Sequence, residues 1–279
     1  MIIEGSRAVD AKLIECIGRL VIKDPATHSY LMYDLIYEPR NSEAVLIVES
    51  DEIVGYALLW RGRGACALHL WGSLPEEVAR DFMDRASRAS ASVKYVHVHS
   101  PWLEDLATQL ARELLGGCSV EKFIDMIVDR RNFKLLNRSV DAELRELDPD
   151  RDAEALAKLW ASRGTRASFS VDEVRRVLEN VLYVGAFIDN KLVSTAAAIV
   201  RLRDAWIVAD VYTDPRYRGR GLGTAVTSYI TSRGLEAGVK KIALHVHESN
   251  EVAKRIYLKL GYREVAKKTW IVCKPYAER

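Results

Sequence analysis

The tripeptide His-Val-His occurs twice, at 97–99 within "YVHVHS" and at 245–247 within "ALHVHE". A helical pattern follows each copy, over 101–114 and 249–262. Upstream of each lie two strand-like runs around a short polar turn. These are "VLIVESDEIVGYALLW" (45–60), turning at "SDE", and "YVGAFIDNKLVSTAAAIV" (183–200), turning at "DNK". Such self-similarity constrains architecture more than any single element, because repeated patterns fold into repeated units. It predicts two α/β units, 1–136 and 137–279, joined in the polar stretch after "KFIDMIVDR".

The copies are unequal. Ile53 to His97 is 44 residues, and Leu192 to His245 is 53. The nine extra residues fall where "DPRYRGRGL" occurs. The first half instead runs from its matching strand, "ACALHLWGS" (65–73), through Pro75 into the helical "EEVARDFMDRASRAS".

That extra loop, in "TDPRYRGRGLGTA" (213–225), lies between the strand-forming "DAWIVADVYT" and a helical pattern that begins near Thr224 and stops at Gly238. A helix N-terminus offers unpaired N–H groups and the positive end of a dipole, and glycines let phosphate oxygens approach them. Arg218 and Arg220 add charge. A Walker A loop needs Gly-Lys-Ser/Thr, and no lysine is present. A dinucleotide loop needs glycine at its first, third and sixth positions. Counted from Gly219 the sixth is Thr224, and from Gly221 it is Val226, so neither frame fits. The pattern that fits is Arg218-x-x-Gly221-x-Gly223. By contrast, the "RGRG" at 61–64 joins two strand-like runs with no helix after it, and reads as a hairpin turn.

Downstream, "KIALHVHESNEVAKRIYLKLGYREV" (241–265) sets Asn250, Tyr257 and Gly261-Tyr262 in order on a strand, helix and turn. Alone, Asn250 is an ordinary helix N-cap and Tyr257 a core aromatic. Together with the loop, residues 141–279 resemble the GNAT superfamily of acyl-CoA-dependent N-acyltransferases. The resemblance implies two GNAT-like α/β (α+β) units, each a mixed, mostly antiparallel sheet flanked by helices. In the first, Trp102 stands opposite Asn250 and Gln109 opposite Tyr257, so that half reads as a degenerate copy that binds no CoA.

By the same resemblance, acetyl-CoA is the cosubstrate and a primary amine, on a small molecule or a peptide, is the acceptor. The pantetheine is expected to lie along the strand 209–213, where Val211, Tyr212 and Thr213 are the expected binding residues, with an N–H there, such as that of Val211, polarising the thioester carbonyl. The diphosphate is expected on the amides of Arg218, Gly219, Arg220, Gly221, Leu222, Gly223 and Thr224, with Asn250 nearby. Tyr257 is the expected acid for the leaving thiolate, since a phenol of pKa about 10 can donate to it. Asp210, on the same strand, is a candidate base, or else a structural or acceptor-binding group. Arg163 and Arg166, between two helical patterns, could hold a substrate carboxylate or be exposed loop charges.

No metal is expected, because the paired histidines occupy equivalent places in both copies and a shared structural origin accounts for them. The four cysteines are scattered without CxxC, which predicts no disulfide framework and a reducing cytoplasm as the setting. No signal peptide or membrane-spanning run is visible. A net charge of +2 gives no field of the kind that draws nucleic acid. Residues 191–241 do hold nine Lys/Arg against four Asp/Glu, but the sequence does not put them on one face. The rival from another class is a non-catalytic acyl-CoA-binding regulatory module, which has no need of Tyr257.

Overall fold

The computed structural model describes residues 2–4, 10–62, 64–135, 140–163 and 169–274. The chain divides into two compact units. In chain order the first copy of the repeat supplies β1 (Ile2–Glu4), α1 (Ala11–Lys23), α2 (Pro25–Tyr37), β2 (Ser42–Glu49), β3 (Glu52–Arg61), β4 (Gly64–Gly72), α3 (Glu76–Ser87), β5 (Ala91–Val98), α4 (Glu104–Leu114) and β6 (Cys118–Asp129). The second copy repeats that order: β7 (Glu143–Glu146), α5 (Pro149–Ala161), α6 (Val171–Asn180), β8 (Leu182–Ile188), β9 (Lys191–Arg201), β10 (Ala205–Thr213), α7 (Leu222–Glu236), β11 (Lys241–His247), α8 (Glu251–Lys259) and β12 (Arg263–Cys273). The predicted repeat is present element for element.

Local chemistry sets many of these boundaries. Asp10 caps α1 through Leu13 N at 2.7 Å, and Asp24 precedes Pro25 at the start of α2. In the second copy Asp148 precedes Pro149 in the same way, and Ser170 with Glu173 forms a capping box on α6. The two polar turns are two-residue hairpins of one type. Ser50 and Asp51 at φ 48° and 65°, like Asp189 and Asn190 at 49° and 59°, take the left-handed conformation that matches strand twist. The "RGRG" segment joins β3 to β4, which pair antiparallel, as its reading as a hairpin turn requires.

Each unit has a mostly antiparallel sheet with one parallel step, β4 with β5 in the first and β10 with β11 in the second. The first unit's sheet holds β1, β2, β3, β4 and β5 in that order, and then β12 pairs antiparallel with β5, Trp270 opposite His97. The second unit's runs β11, β10, β9, β8, β7.

The units are not contiguous stretches of sequence, unlike the expected 1–136 and 137–279. Residues 265–274 and His247–Ser249 pack with the first unit, and the second begins at Met126 within β6. The expected joint at 136/137 lies outside the described residues. The reason is in β12, whose Ile271 and Cys273 are buried in the first unit's core with Leu68, Val96 and Phe82. Thr269 adds hydrogen bonds from Lys122 at 2.7 Å and to Glu104 at 2.7 Å.

This placement also corrects the expectation of no disulfide. Cys118 and Cys273, 155 residues apart, are paired within the first unit, because β12 returns there from the far end of the chain. Cys16 and Cys66 are free and buried. Among the described residues no helix is long and apolar enough to cross a membrane.

Truncating Ile271 tests the exchange of β12. Ile271→Ala is expected to destabilise the first unit by about 2–5 kcal/mol through the lost methylenes and the cavity left behind. Denaturant unfolding followed by a probe in that unit, such as Trp71, should show the loss. A change confined to the second unit's transition would contradict the assignment.

Candidate active site

β10 carries the site because it does two things in one strand. From Ala205 to Val208 it pairs in parallel with β11, Val208 opposite Leu244, and there the pairing ends although β10 continues to Thr213. On its other side it stays paired with β9, but between Ala209 and Tyr212 it gains one residue on its neighbour, a β-bulge. Asp210 takes the strained position, with φ 54°. Beyond the bulge, the β11 side of residues 209–213 has no strand partner among the described pairings, which leaves a backbone edge free for an extended ligand.

Donors on neighbouring elements hold the bulge. The Asp210 carboxylate accepts from Tyr183 Oη at 2.7 Å, from Trp160 Nε1 at 3.2 Å and from the Arg163 guanidinium, which forms an ion pair with it. The Arg163 guanidinium also lies 4.7 Å from the Tyr212 ring centroid. It is therefore a half-buried, paired group and not a free loop charge; Arg166 lies outside the described residues. Burial, followed by the Asp210 charge, pushes the Tyr183 phenol well above its ordinary value, so it remains a donor. Both Asp210 oxygens are engaged, so the carboxylate is held in place instead of being presented to an amine. Tyr212 reaches the Ser162 carbonyl at 3.2 Å, and Thr213 meets Ser194 Oγ at 2.8 Å.

The glycine loop comes next along the chain. Asp214 is buried and closes the turn, accepting from Arg216 N at 3.0 Å and from its guanidinium at 2.7 Å. Gly219 and Gly221 sit at φ 80° and 81°, a left-handed conformation that costs any other residue about 1–2 kcal/mol. Gly221 is the N-cap of α7 and supplies no capping side chain, so the first N–H groups of α7 are left for another acceptor. Arg218 stays close by donating from Nε to the Thr213 carbonyl at 3.2 Å. At Gly223 a Cβ would meet Thr213 Oγ1 at 3.5 Å and Ile256 Cδ1 at 3.6 Å, ordinary contacts, so glycine here leaves room above the helix start without being needed for packing.

The second predicted segment lies on α8. Asn250 caps it, with Oδ1 accepting from Ala253 N at 3.1 Å, so part of its role is structural. Tyr257 is buried, 5.8 Å ring to ring from Tyr262, and burial pushes its phenol up to about 12. It is thus a proton-bearing donor throughout the neutral range.

Residues 145–262 match the family model described as the acetyltransferase (GNAT) family. The second half of the chain is therefore similar to GNAT acetyltransferases. A mycothiol acetyltransferase of Thermobispora bispora is 28% identical over 271 residues, covering 80% of this chain and 81% of the relative. Two solved structures have a similar fold over nearly the whole chain. One is a Drosophila protein (TM-score 0.73, 12% identity, 97% of this chain and 98% of that one), the other a tandem GNAT protein from the clavulanic acid biosynthesis pathway (TM-score 0.59, 13% identity, 100% of both).

The first unit, which shares the second copy's element order, lacks the opening. β4 and β5 stay paired from Gly64 to Leu70, and His99 N continues to the Leu70 carbonyl at 2.9 Å. Beyond that, Ser100 Oγ accepts from Gly72 N at 2.8 Å and Trp102 Nε1 donates to Gly72 O at 3.0 Å. Trp102, which stands opposite Asn250 in the repeat, thus seals the backbone edge that β10 leaves free. The sequence marked the glycine loop, Asn250 and Tyr257. It gave no sign of Tyr183, Trp160 or Ser194, whose contacts span 18 to 50 residues and carry no local pattern.

The Asp214–Arg216 clamp gives the loop a pH signature. Hydrogen bonds from Arg216 hold the folded Asp214 at about 2, below the roughly 3.9 of a free aspartate. Its stabilisation is complete above the unfolded value and is lost as pH falls through about 2. Asp214→Asn should therefore be less stable than wild type at pH 7, with the gap narrowing below pH ~4. Parallel denaturant titrations across pH measure this; a gap that does not depend on pH would refute it.

Proposed function

We propose that the second unit transfers an acetyl group from acetyl-CoA to a primary amine by direct attack. The observation carrying this reading is the parting of β10 from β11 after Val208, next to the uncapped glycine start of α7. A free strand edge suits pantetheine and an open helix N-terminus suits diphosphate, and the short segment 214–222 links the two. The Thermobispora relative's name supports acetyl transfer in general, and the mycothiol in that name is said of that protein alone.

The residues present fit this cosubstrate. The amides of Gly219 to Thr224 would receive the diphosphate, with Arg218 and Arg220 supplying charge. Backbone N–H and C=O groups of Val211 to Thr213 would pair with the pantetheine arm, and the Val211 N–H would polarise the thioester oxygen. The thioester supplies the activated acetyl carbon. Tyr257 would donate a hydrogen bond to the sulfur as it becomes a thiolate and pass its proton on as the thiol leaves. Asp210 would act as a positioning residue that fixes the bulge, and therefore the Val211 N–H, rather than as the base; water takes the amine proton. Arg163, Trp160 and Tyr183 would shape the acceptor side through that carboxylate.

Two substitutions separate binding from chemistry. Gly223→Ala should leave the free protein's stability within about 0.5 kcal/mol, since the space exists, yet weaken CoA binding about tenfold or more by filling the approach to the α7 amides. Tyr257→Phe keeps the ring but removes the donor. It should lower kcat by about 10²–10⁴ with little change in acetyl-CoA affinity. Calorimetry and steady-state assays against an amine panel read both. An unchanged kcat in Tyr257→Phe, with a confirmed acceptor, would favour the non-catalytic acyl-CoA-binding module.

A further inference from the structure

The buried polar groups of the first unit gather at a place that acetyl transfer does not use. In the parallel pair β4–β5, His69 stands directly opposite His97, and His99 lies two residues further along, on the same face. All three rings are buried, and nitrogens that could ligate a metal, one from each, lie within 4.8 Å of one another. His69 Nδ1 and His99 Nε2 are 3.0 Å apart. A tetrahedral ion with metal–nitrogen bonds of about 2.0–2.1 Å holds its ligand nitrogens about 3.4 Å apart. The 3.0 Å pair and the 4.8 Å limit for the trio bracket that spacing.

Two features favour a cation over a hydrogen-bonded core alone. His99 Nδ1 is buried without a hydrogen-bond partner, and either tautomer of the His69–His99 bond leaves it so. The third histidine is also specific to this unit. Leu68 pairs with Val96, and Val208 with Leu244, each one residue before the His-Val-His tripeptide. The second unit therefore has Ala209 where the first has His69. The shared tripeptide accounts for two histidines but not for the trio.

The surroundings suit a closed site. Trp270 stacks on His97 with ring centroids 4.0 Å apart, and Tyr30 of α2 lies 4.9 Å from His69. Imidazole nitrogens select zinc-like transition metals over magnesium or calcium, which prefer oxygen.

We propose that His69, His97 and His99 bind one divalent transition-metal ion of zinc type, which fixes the packing of α2 on the β4–β5 pair. The test uses the full chain without a histidine tag. Protein equilibrated with zinc and freed of excess should hold one zinc per chain by elemental analysis. Removing it with a chelator should lower the melting temperature by several degrees, and zinc should restore it. Cobalt(II) should give the visible bands of a low-coordinate nitrogen site. His69→Asn should lose the metal, while His247→Asn, in the other tripeptide, should keep it. His99→Gln serves as a second variant should His69→Asn fold poorly. Wild type that retains no zinc after equilibration, or no more than His69→Asn, would overturn the proposal; that wild-type measurement needs no variant.

Discussion

The bulge at Asp210 is the constraint on which the second unit's chemistry rests. A parallel pair such as β10–β11 would otherwise run on and satisfy its own backbone. One inserted residue at positive φ turns the strand aside, and residues 211–213 then have no strand partner on the β11 side among the described pairings. Such strain persists only if the surroundings hold it. Tyr183, Trp160 and Arg163, from β8, α5 and the turn after α5, converge on the Asp210 carboxylate and do so. The same contact couples β8, α5 and the turn after α5 to the strand that, under the proposed function, would bind the thioester.

The first unit shows what the fold does without that device. Its corresponding strands stay zipped, Trp102 and Ser100 occupy the backbone groups at Gly72, and the region beneath α2 fills with histidine and aromatic rings. One repeated pattern thus yields an opened sheet in one copy and a closed one in the other. The nine-residue difference around "DPRYRGRGL" gives the second copy its glycine loop at the start of α7, and the bulge gives it an open strand edge; under the proposed function these take the diphosphate and the pantetheine. Both are needed, because diphosphate bound at α7 without a free strand edge would hold the acyl group nowhere useful.

Much of this was legible in the sequence, where local rules dominate. The hairpin turns, the stop at Gly238 and the glycine loop announce themselves because left-handed or open backbone demands particular residues. Features that depend on distant contacts were not legible. The β12 strand reads as the end of the second copy, and only its burial against Leu68 and Val96 shows that it completes the first unit's sheet. The Cys118–Cys273 pair results from that placement and has no spacing signature. His69 is an ordinary strand residue in "ACALHLWGS" until register sets it beside His97. Asp210 read as a candidate base, or else a structural or acceptor-binding group, from its place on that strand, and its three donors lie 27 to 50 residues away in sequence, beyond any local pattern.

The central claim is that one unit binds acetyl-CoA and the other has lost the means to do so. Isothermal titration of the full chain with acetyl-CoA tests this most directly, repeated with Gly223→Ala to assign the site. The account predicts a single site per chain whose affinity falls in the variant. Two equivalent sites, or one site indifferent to Gly223→Ala, would contradict it.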